Sequence, residues 1–147
     1  MRALESRRVI LHCSATTPEM DIGVDWIREL HVHGNGWSDV GYHYVIKQDG
    51  TVEQGRPLHR AGAHTKGYNN SVGICYVGGV DNNHQPKDTM TWEQELSFFQ
   101  LWHSLVTLFG PLTLHGHNEF ANKACPSFDV RTKYRFLTNS NDTERHD

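Results

Sequence analysis

Short runs of apolar residues, bounded by turn-forming residues, recur along the chain and predict β-strands. The predicted strands cover residues 7–14, 42–47, 51–54, 72–77 and 112–115. An Asp-Gly pair between the second and third strands is a strong hairpin signal. Because side chains alternate along a strand, His12 of the first strand shares a face with Ile10 and Ser14 and points away from Cys13.

Apolar residues at helical spacing predict helices over residues 24–33, 91–109 and 128–137. The longest of these has a clear beginning, because Thr91 and Gln94 have the spacing of a capping box. We expect it to turn an apolar stripe toward the core, made of Leu96, Phe99, Leu105 and Leu108.

Strands and helices are mixed along the chain without strict alternation, which favours an α/β fold with a central mixed β-sheet flanked by helices. No repeat, linker or low-complexity segment divides the 147 residues. We therefore predict a single domain over 1–137 and a polar C-terminal tail over 138–147 that is disordered. The polar loop over 55–70, rich in Gly, His and Asn, is of the kind that often lines a site.

Composition excludes several classes of protein. The net charge is −3 with Lys and Arg scattered, which argues against a protein that binds nucleic acid directly. No apolar stretch is long enough to span a membrane, and residues 1–8 do not form a signal peptide, so we expect a protein made in the cytoplasm. Three cysteines, in a reducing compartment, are better explained as core residues or metal ligands than as disulfides.

Residues that could bind a metal or act in catalysis are concentrated near the C-terminal end of the chain. Residues 115–126 contain His115, His117, Lys123 and Cys125, and a thiol beside a lysine ionises more easily. A catalytic zinc takes three protein ligands and keeps one position open. The segment matches no standard short zinc motif, so its spacing is equally compatible with a buried thiol and loop-capping histidines, and it does not choose between the two histidines.

Two residues elsewhere could also carry chemistry. His12 interrupts an apolar strand, which taken alone is more typical of a hydrogen-bonded core histidine than of a ligand. Tyr42 stands at the beginning of the second strand. It is a better candidate than Tyr44 for a catalytic hydroxyl, since aromatic residues within strands usually serve packing.

Six segments strongly resemble N-acetylmuramoyl-L-alanine amidases of the phage T-seven lysozyme type, within the broader amidase family that includes the peptidoglycan recognition proteins. They are HCSAT (12–16), DVGYH (39–43), KQDGTVE (47–53), KGYN (66–69), VGG (77–79) and KACPSFD (123–129). The resemblance runs in order from about residue 9 to about residue 136.

The resemblance implies a set of site residues. It implies one zinc ion held by His12, His117 and Cys125, with Tyr42 and Lys123 acting in catalysis, and it places His64 at the substrate cleft. Zinc polarises a carbonyl and acidifies water, which suits attack on an unreactive amide. Lys123 is then the candidate that stabilises the oxyanion, and Tyr42 the candidate that positions water or moves a proton.

The resemblance also implies an activity and its setting. The activity is hydrolysis of the amide between N-acetylmuramic acid and L-alanine in peptidoglycan, by a monomeric phage endolysin that waits in the host cytoplasm until the membrane opens. A second role, inhibition of a phage RNA polymerase, follows from the same resemblance. Two rival hypotheses are a peptidoglycan-binding module, which typically lacks the cysteine ligand, and a zinc peptidase that cuts within the stem peptide.

Overall fold

Five strands form one sheet in the computed structural model, which describes residues 6–137. The strands are β1 (Arg8–Cys13), β2 (Tyr44–Ile46), β3 (Val52–Gln54), β4 (Val72–Tyr76) and β5 (Thr113–Gly116). Their order is β3-β2-β4-β1-β5. All neighbours are parallel except the β2–β3 hairpin, which is antiparallel. The predicted central mixed sheet is confirmed.

Three α-helices accompany the sheet: α1 (Val24–Glu29), α2 (Trp92–Phe109) and α3 (Val130–Lys133). A π-helical turn (Leu30–Gly34) continues α1, and a 3₁₀ turn (His117–Glu119) follows β5. The predicted helix over 128–137 begins two residues later, after the Asp129 cap, and is interrupted at Tyr134, beyond which residues 135–137 are helical again. The predicted disordered tail, 138–147, lies outside the described residues.

Helices cover both faces of the sheet. On one face, α2 and α3 pack on a core that includes Leu11 and Ile74. On the other, α1 packs on a smaller core that includes Val45 and Cys75. The alternation of Ile74 and Cys75 between the two cores shows that β4 is buried on both sides, as a central parallel strand should be. Among residues 6–137, no helix combines the length and the apolar character that a membrane span requires.

The buried face of α2 differs from the predicted stripe. The capping box of Thr91 and Gln94 is present as predicted. Leu96 and Leu108, however, are 49% and 72% exposed, and the buried positions are Gln94, Phe98, Trp102 and Leu105. Gln94 is buried because its amide donates to the carbonyl oxygens of Ile46 and Val77, both at 3.0 Å. Hydropathy alone could not assign a polar residue to this face.

The sheet places two histidines side by side. Because β1 and β5 are adjacent and parallel, their carboxyl ends meet at one edge of the sheet. His12 lies near the end of β1, and His117 follows β5 directly. The segment between β3 and β4 contains no regular helix or strand, in agreement with the loop predicted over 55–70, and it borders this edge.

Candidate active site

Three potential ligands converge at the carboxyl ends of β1 and β5. The ligand atoms of His12, His117 and Cys125 all lie within 4.8 Å of one another. His12 Nδ1 is 3.8 Å from Cys125 Sγ, and the two imidazole centroids are 4.5 Å apart. A tetrahedral zinc with bonds of roughly 2.1 Å to nitrogen and 2.3 Å to sulfur places those two atoms about 3.6 Å apart. The donor set therefore fits zinc in its chemistry, and the His12–Cys125 distance is close to that of a zinc site.

The loop that carries Cys125 is fixed to the sheet. The Cys13 backbone N–H, at the end of β1, donates to Cys125 Sγ at 3.1 Å. The buried Tyr76 hydroxyl donates to the Pro126 carbonyl oxygen at 2.7 Å. Gly116 leaves room for this loop, since a Cβ there would lie 3.1 Å from Pro126 Cδ. The sulfur is thus held by β1, and its loop is held by β4 and passes close to the end of β5.

The structure separates the two histidines that the spacing had left open. His115 Nδ1 lies 3.0 Å from Glu119 Oε1, and His115 Nε2 lies 2.9 Å from Thr113 Oγ1. Both ring nitrogens of His115 are thereby engaged outside the cluster. His117 is the histidine of this pair that joins His12 and Cys125.

Burial and charge favour neutral imidazoles at the cluster. Burial, followed by His64, His117 and Lys123, lowers the pKa of His12 well below its ordinary value. Burial, followed by Lys123, lowers the pKa of His117. The neutral imidazole is the form that binds a metal. Two neutral imidazoles leave their lone pairs available at neutral pH.

The sulfur needs a cation to become a thiolate here. The Cys13 thiol, and then burial, raise the pKa of Cys125 above its ordinary value. A metal ion at the site would reverse this balance, because a coordinated thiol is deprotonated outright. The three residues together suit a divalent, thiophilic metal such as zinc.

Tyr42 lies against the cluster. Its ring centroid is 5.1 Å from that of His12. Burial, and then the nearby cysteine sulfurs, raise the pKa of Tyr42 well above its ordinary value. The phenol therefore stays protonated at neutral pH and can donate a hydrogen bond, whereas a tyrosinate base is disfavoured.

An open cleft of about 470 Å³ reaches the cluster at His117. Its walls include His117 and the exposed Lys123, together with Trp37, Lys66 and Phe120. The sequence predicted no role for Trp37 or Lys66. Trp37 follows the glycine-rich end of the first predicted helix, and Lys66 lies in the polar loop expected to line a site and in the resembling segment KGYN (66–69).

His64 borders the same cleft but is itself buried, with 9% of its surface exposed. Its Nδ1 lies 2.9 Å from His12 Nε2, and its Nε2 lies 2.9 Å from the Ser71 carbonyl oxygen. Burial lowers the pKa of His64 to about 3. The substrate contact expected for His64 stays a prediction.

The sequence model of the N-acetylmuramoyl-L-alanine amidase family matches residues 2–128. The chain belongs to this family. The match covers the elements that carry all three candidate ligands, and it confirms the predicted class of enzyme, an N-acetylmuramoyl-L-alanine amidase.

Individual relatives agree with this family assignment. The endolysin of Escherichia phage T7 is 46% identical over 124 residues, which are 84% of this chain and 82% of that protein. The amidase LysC from Clostridium intestinale has a similar structure, with a TM-score of 0.72 and 26% identity over 88% of this chain and 85% of LysC. Bumblebee PGRP-SA is similar too, with a TM-score of 0.73 and 27% identity over 87% and 79% of the two chains.

Proposed function

We propose that this amidase is a zinc-dependent phage endolysin that cleaves the amide between N-acetylmuramic acid and L-alanine in bacterial peptidoglycan. The observation that carries the proposal is the meeting of His12, His117 and Cys125 donor atoms within 4.8 Å beside an open cleft. The endolysin of phage T7, similar over most of both chains, supports the biological setting.

The ligand set defines what the metal contributes. Zn²⁺ bound by His12, His117 and Cys125 supplies a Lewis acid that polarises the amide carbonyl and makes water more acidic. Two neutral imidazoles and one thiolate leave a net charge of about +1 at such a site. His12 is buried and His117 lines the cleft, so substrate would approach the metal from the His117 side.

Lys123 and Tyr42 have distinct tasks in this proposal. Lys123 lines the cleft and is close enough to lower the pKa values of both metal-binding histidines. Its ammonium group is therefore placed to stabilise negative charge that develops on the carbonyl oxygen. Tyr42 keeps its proton, as its raised pKa requires, and can orient water or the carbonyl through a donated hydrogen bond.

Digestion of purified peptidoglycan by zinc-loaded protein tests the proposal, with a chelator-treated sample beside it and mass spectrometry of the released fragments. We expect intact stem peptides that begin with free L-alanine, and their disappearance with chelator. Fragments cut within the stem peptide would instead identify a peptidase. Peptidoglycan that is bound but not cleaved would identify a binding module.

Two further predictions from the resemblance extend this proposal. One is inhibition of a phage RNA polymerase, which a pull-down and a transcription assay with the cognate polymerase would test. The other is a monomer that is made in the host cytoplasm and acts after the membrane opens. Light scattering of the purified protein, and lysis of host cells with and without membrane permeabilisation, would test it.

A further inference from the structure

His64 is built into the fold more firmly than a residue that only contacts substrate would need to be. The imidazole lies between two glycines, since a Cβ at Gly62 would be 2.4 Å from His64 Cδ2 and one at Gly73 would be 2.6 Å from the same atom. The Asn69 side chain accepts hydrogen bonds from the backbone N–H groups of His64 and Thr65, at 2.7 and 2.9 Å. Both the ring and its backbone are therefore fixed.

The hydrogen bonds of His64 define its tautomer. The Ser71 carbonyl oxygen can only accept, so the His64 Nε2, 2.9 Å away, carries a proton and donates it. In the neutral ring, Nδ1 is then an acceptor, and it faces both His12 Nε2 at 2.9 Å and the Thr65 hydroxyl at 3.0 Å. Without a proton, His12 Nε2 would set its lone pair against that of His64 Nδ1, so His12 Nε2 carries a proton as well; the Thr65 hydroxyl lies 3.3 Å from it.

This arrangement of protons leaves Nδ1 of His12 free to bind a metal. With its proton on Nε2, a neutral His12 has its lone pair on Nδ1, which is the atom that faces Cys125 Sγ at 3.8 Å. The chain of hydrogen bonds from Ser71 through His64 to His12 thus selects the tautomer of His12 that can bind.

We propose that His64 is a positioning residue that holds His12 in the orientation and tautomer in which Nδ1 binds zinc. This inference rests on the proposed function, and it assigns His64 a role that acts through His12. Partners that orient a metal-binding histidine typically change metal affinity or activity 10- to 100-fold when they are removed.

Metal binding, measured without substrate, tests the inference. The variants are His64→Ala, which removes the acceptor, and His64→Asn, whose amide oxygen can accept from His12 Nε2. We expect His64→Ala to weaken Zn²⁺ binding about 10- to 100-fold in a competition with a chromophoric chelator. We also expect altered absorption of the Co²⁺-substituted protein, with His64→Asn recovering part of both properties.

Gly73→Ala tests the same idea with every polar group retained, because its Cβ displaces the His64 ring. Gly34→Ala is the matched control, since the nearest atom to its Cβ is Leu30 Cδ1 at 3.5 Å. We expect Gly73→Ala to weaken metal binding and Gly34→Ala to leave it unchanged. Thermal unfolding in excess chelator shows whether each variant is folded independently of metal.

Unchanged Zn²⁺ affinity and an unchanged Co²⁺ spectrum in folded His64→Ala would overturn the inference. A raised KM on peptidoglycan fragments in that variant would then assign His64 to substrate contact. Failure of the proposed function is a separate result, because it would appear in the wild-type protein as absent metal binding or as absent release of L-alanine-terminated peptides.

Discussion

The two histidines of the candidate metal centre have very different surroundings. His12 lies within β1, 1% exposed, and its ring is hydrogen-bonded to His64, which is bonded in turn to the backbone next to β4. His117 lies just beyond β5, is half-buried and lines the open cleft. Burial, and then Lys123 on the loop that leads to Cys125, lower the pKa of His117.

This difference suggests separate roles under the proposed function. The buried β1 side would fix the geometry of the metal site, and the β5 side would face substrate and supply charge. Changes on the β1 side should therefore alter metal binding first. Changes to groups that only line the cleft should alter turnover while the metal stays bound. The two sides meet at Cys125.

Replacement of Cys125 should have the largest effect. The sulfur accepts the Cys13 N–H on the β1 side and is carried by the loop of Lys123 on the other. We expect Cys125→Ser to lose most zinc and nearly all activity, by more than the ~100-fold typical of indirect partners. Metal content after dialysis and release of stem peptides measure the two losses. Full activity in metal-stripped Cys125→Ser would contradict the zinc mechanism.

Replacement of His117 should have the next largest effect, and His115 provides a matched control two residues away. We expect His117→Gln to weaken zinc binding strongly, because one of three protein ligands is lost. His115→Gln should keep its zinc, since the His115 ring is engaged with Glu119 and Thr113. Chelator competition on both variants makes the comparison. Equal losses would show that the chain uses either histidine as the ligand.

Replacement of Lys123 should separate turnover from metal binding. Lys123 is exposed at the cleft and does not belong to the ligand cluster. We expect Lys123→Ala to keep zinc and to lose about 100- to 1000-fold in kcat, as for removal of one group that stabilises an oxyanion. Lys66→Ala, another lysine of the cleft, is the control and should change kcat less. Loss of metal in Lys123→Ala would mean that Lys123 is structural.

Local patterns predicted the features that arise within one element. Three of these features depend on neighbours within a few residues: the β1 strand containing His12, the β2–β3 hairpin, and the capping box of Thr91 and Gln94. The candidate ligand set came from the resemblance, because spacing alone left His115 and His117 equivalent. The structure distinguishes them through Glu119 and Thr113, both within four residues.

Features that depend on distant parts of the chain could not be predicted in this way. Gln94 is buried because two carbonyl oxygens, 48 and 17 residues away, accept its hydrogen bonds. The contact between His64 and His12 joins residues 52 positions apart. These partners come together only through the order of strands in the sheet. A hydropathy pattern therefore cannot predict such contacts.

Acid should destabilise the fold through histidines that are buried in the neutral form. His43 is fully buried behind His64, where its Nδ1 accepts the Gly73 N–H at 3.0 Å and its Nε2 lies 2.9 Å from the Arg60 carbonyl oxygen. Burial lowers the pKa of His43, although the Arg60 carbonyl partly opposes this shift. The pKa of a histidine in an unfolded chain is about 6.5. Below that pH, the unfolded chain therefore binds a proton that the buried ring does not bind.

Because the unfolded chain binds more protons than the folded one at low pH, acid lowers the free energy of unfolding. The free energy of unfolding should be at its full value above about pH 6.5 and should fall as the pH drops, by up to about 1.4 kcal/mol per pH unit for each such histidine. Urea unfolding in excess chelator, between about pH 7 and pH 5, measures the slope. His43→Asn should reduce the slope, whereas replacement of the exposed His103 by Asn should leave it unchanged. An equal slope in all three proteins would show that His43 takes up its proton without cost to the fold.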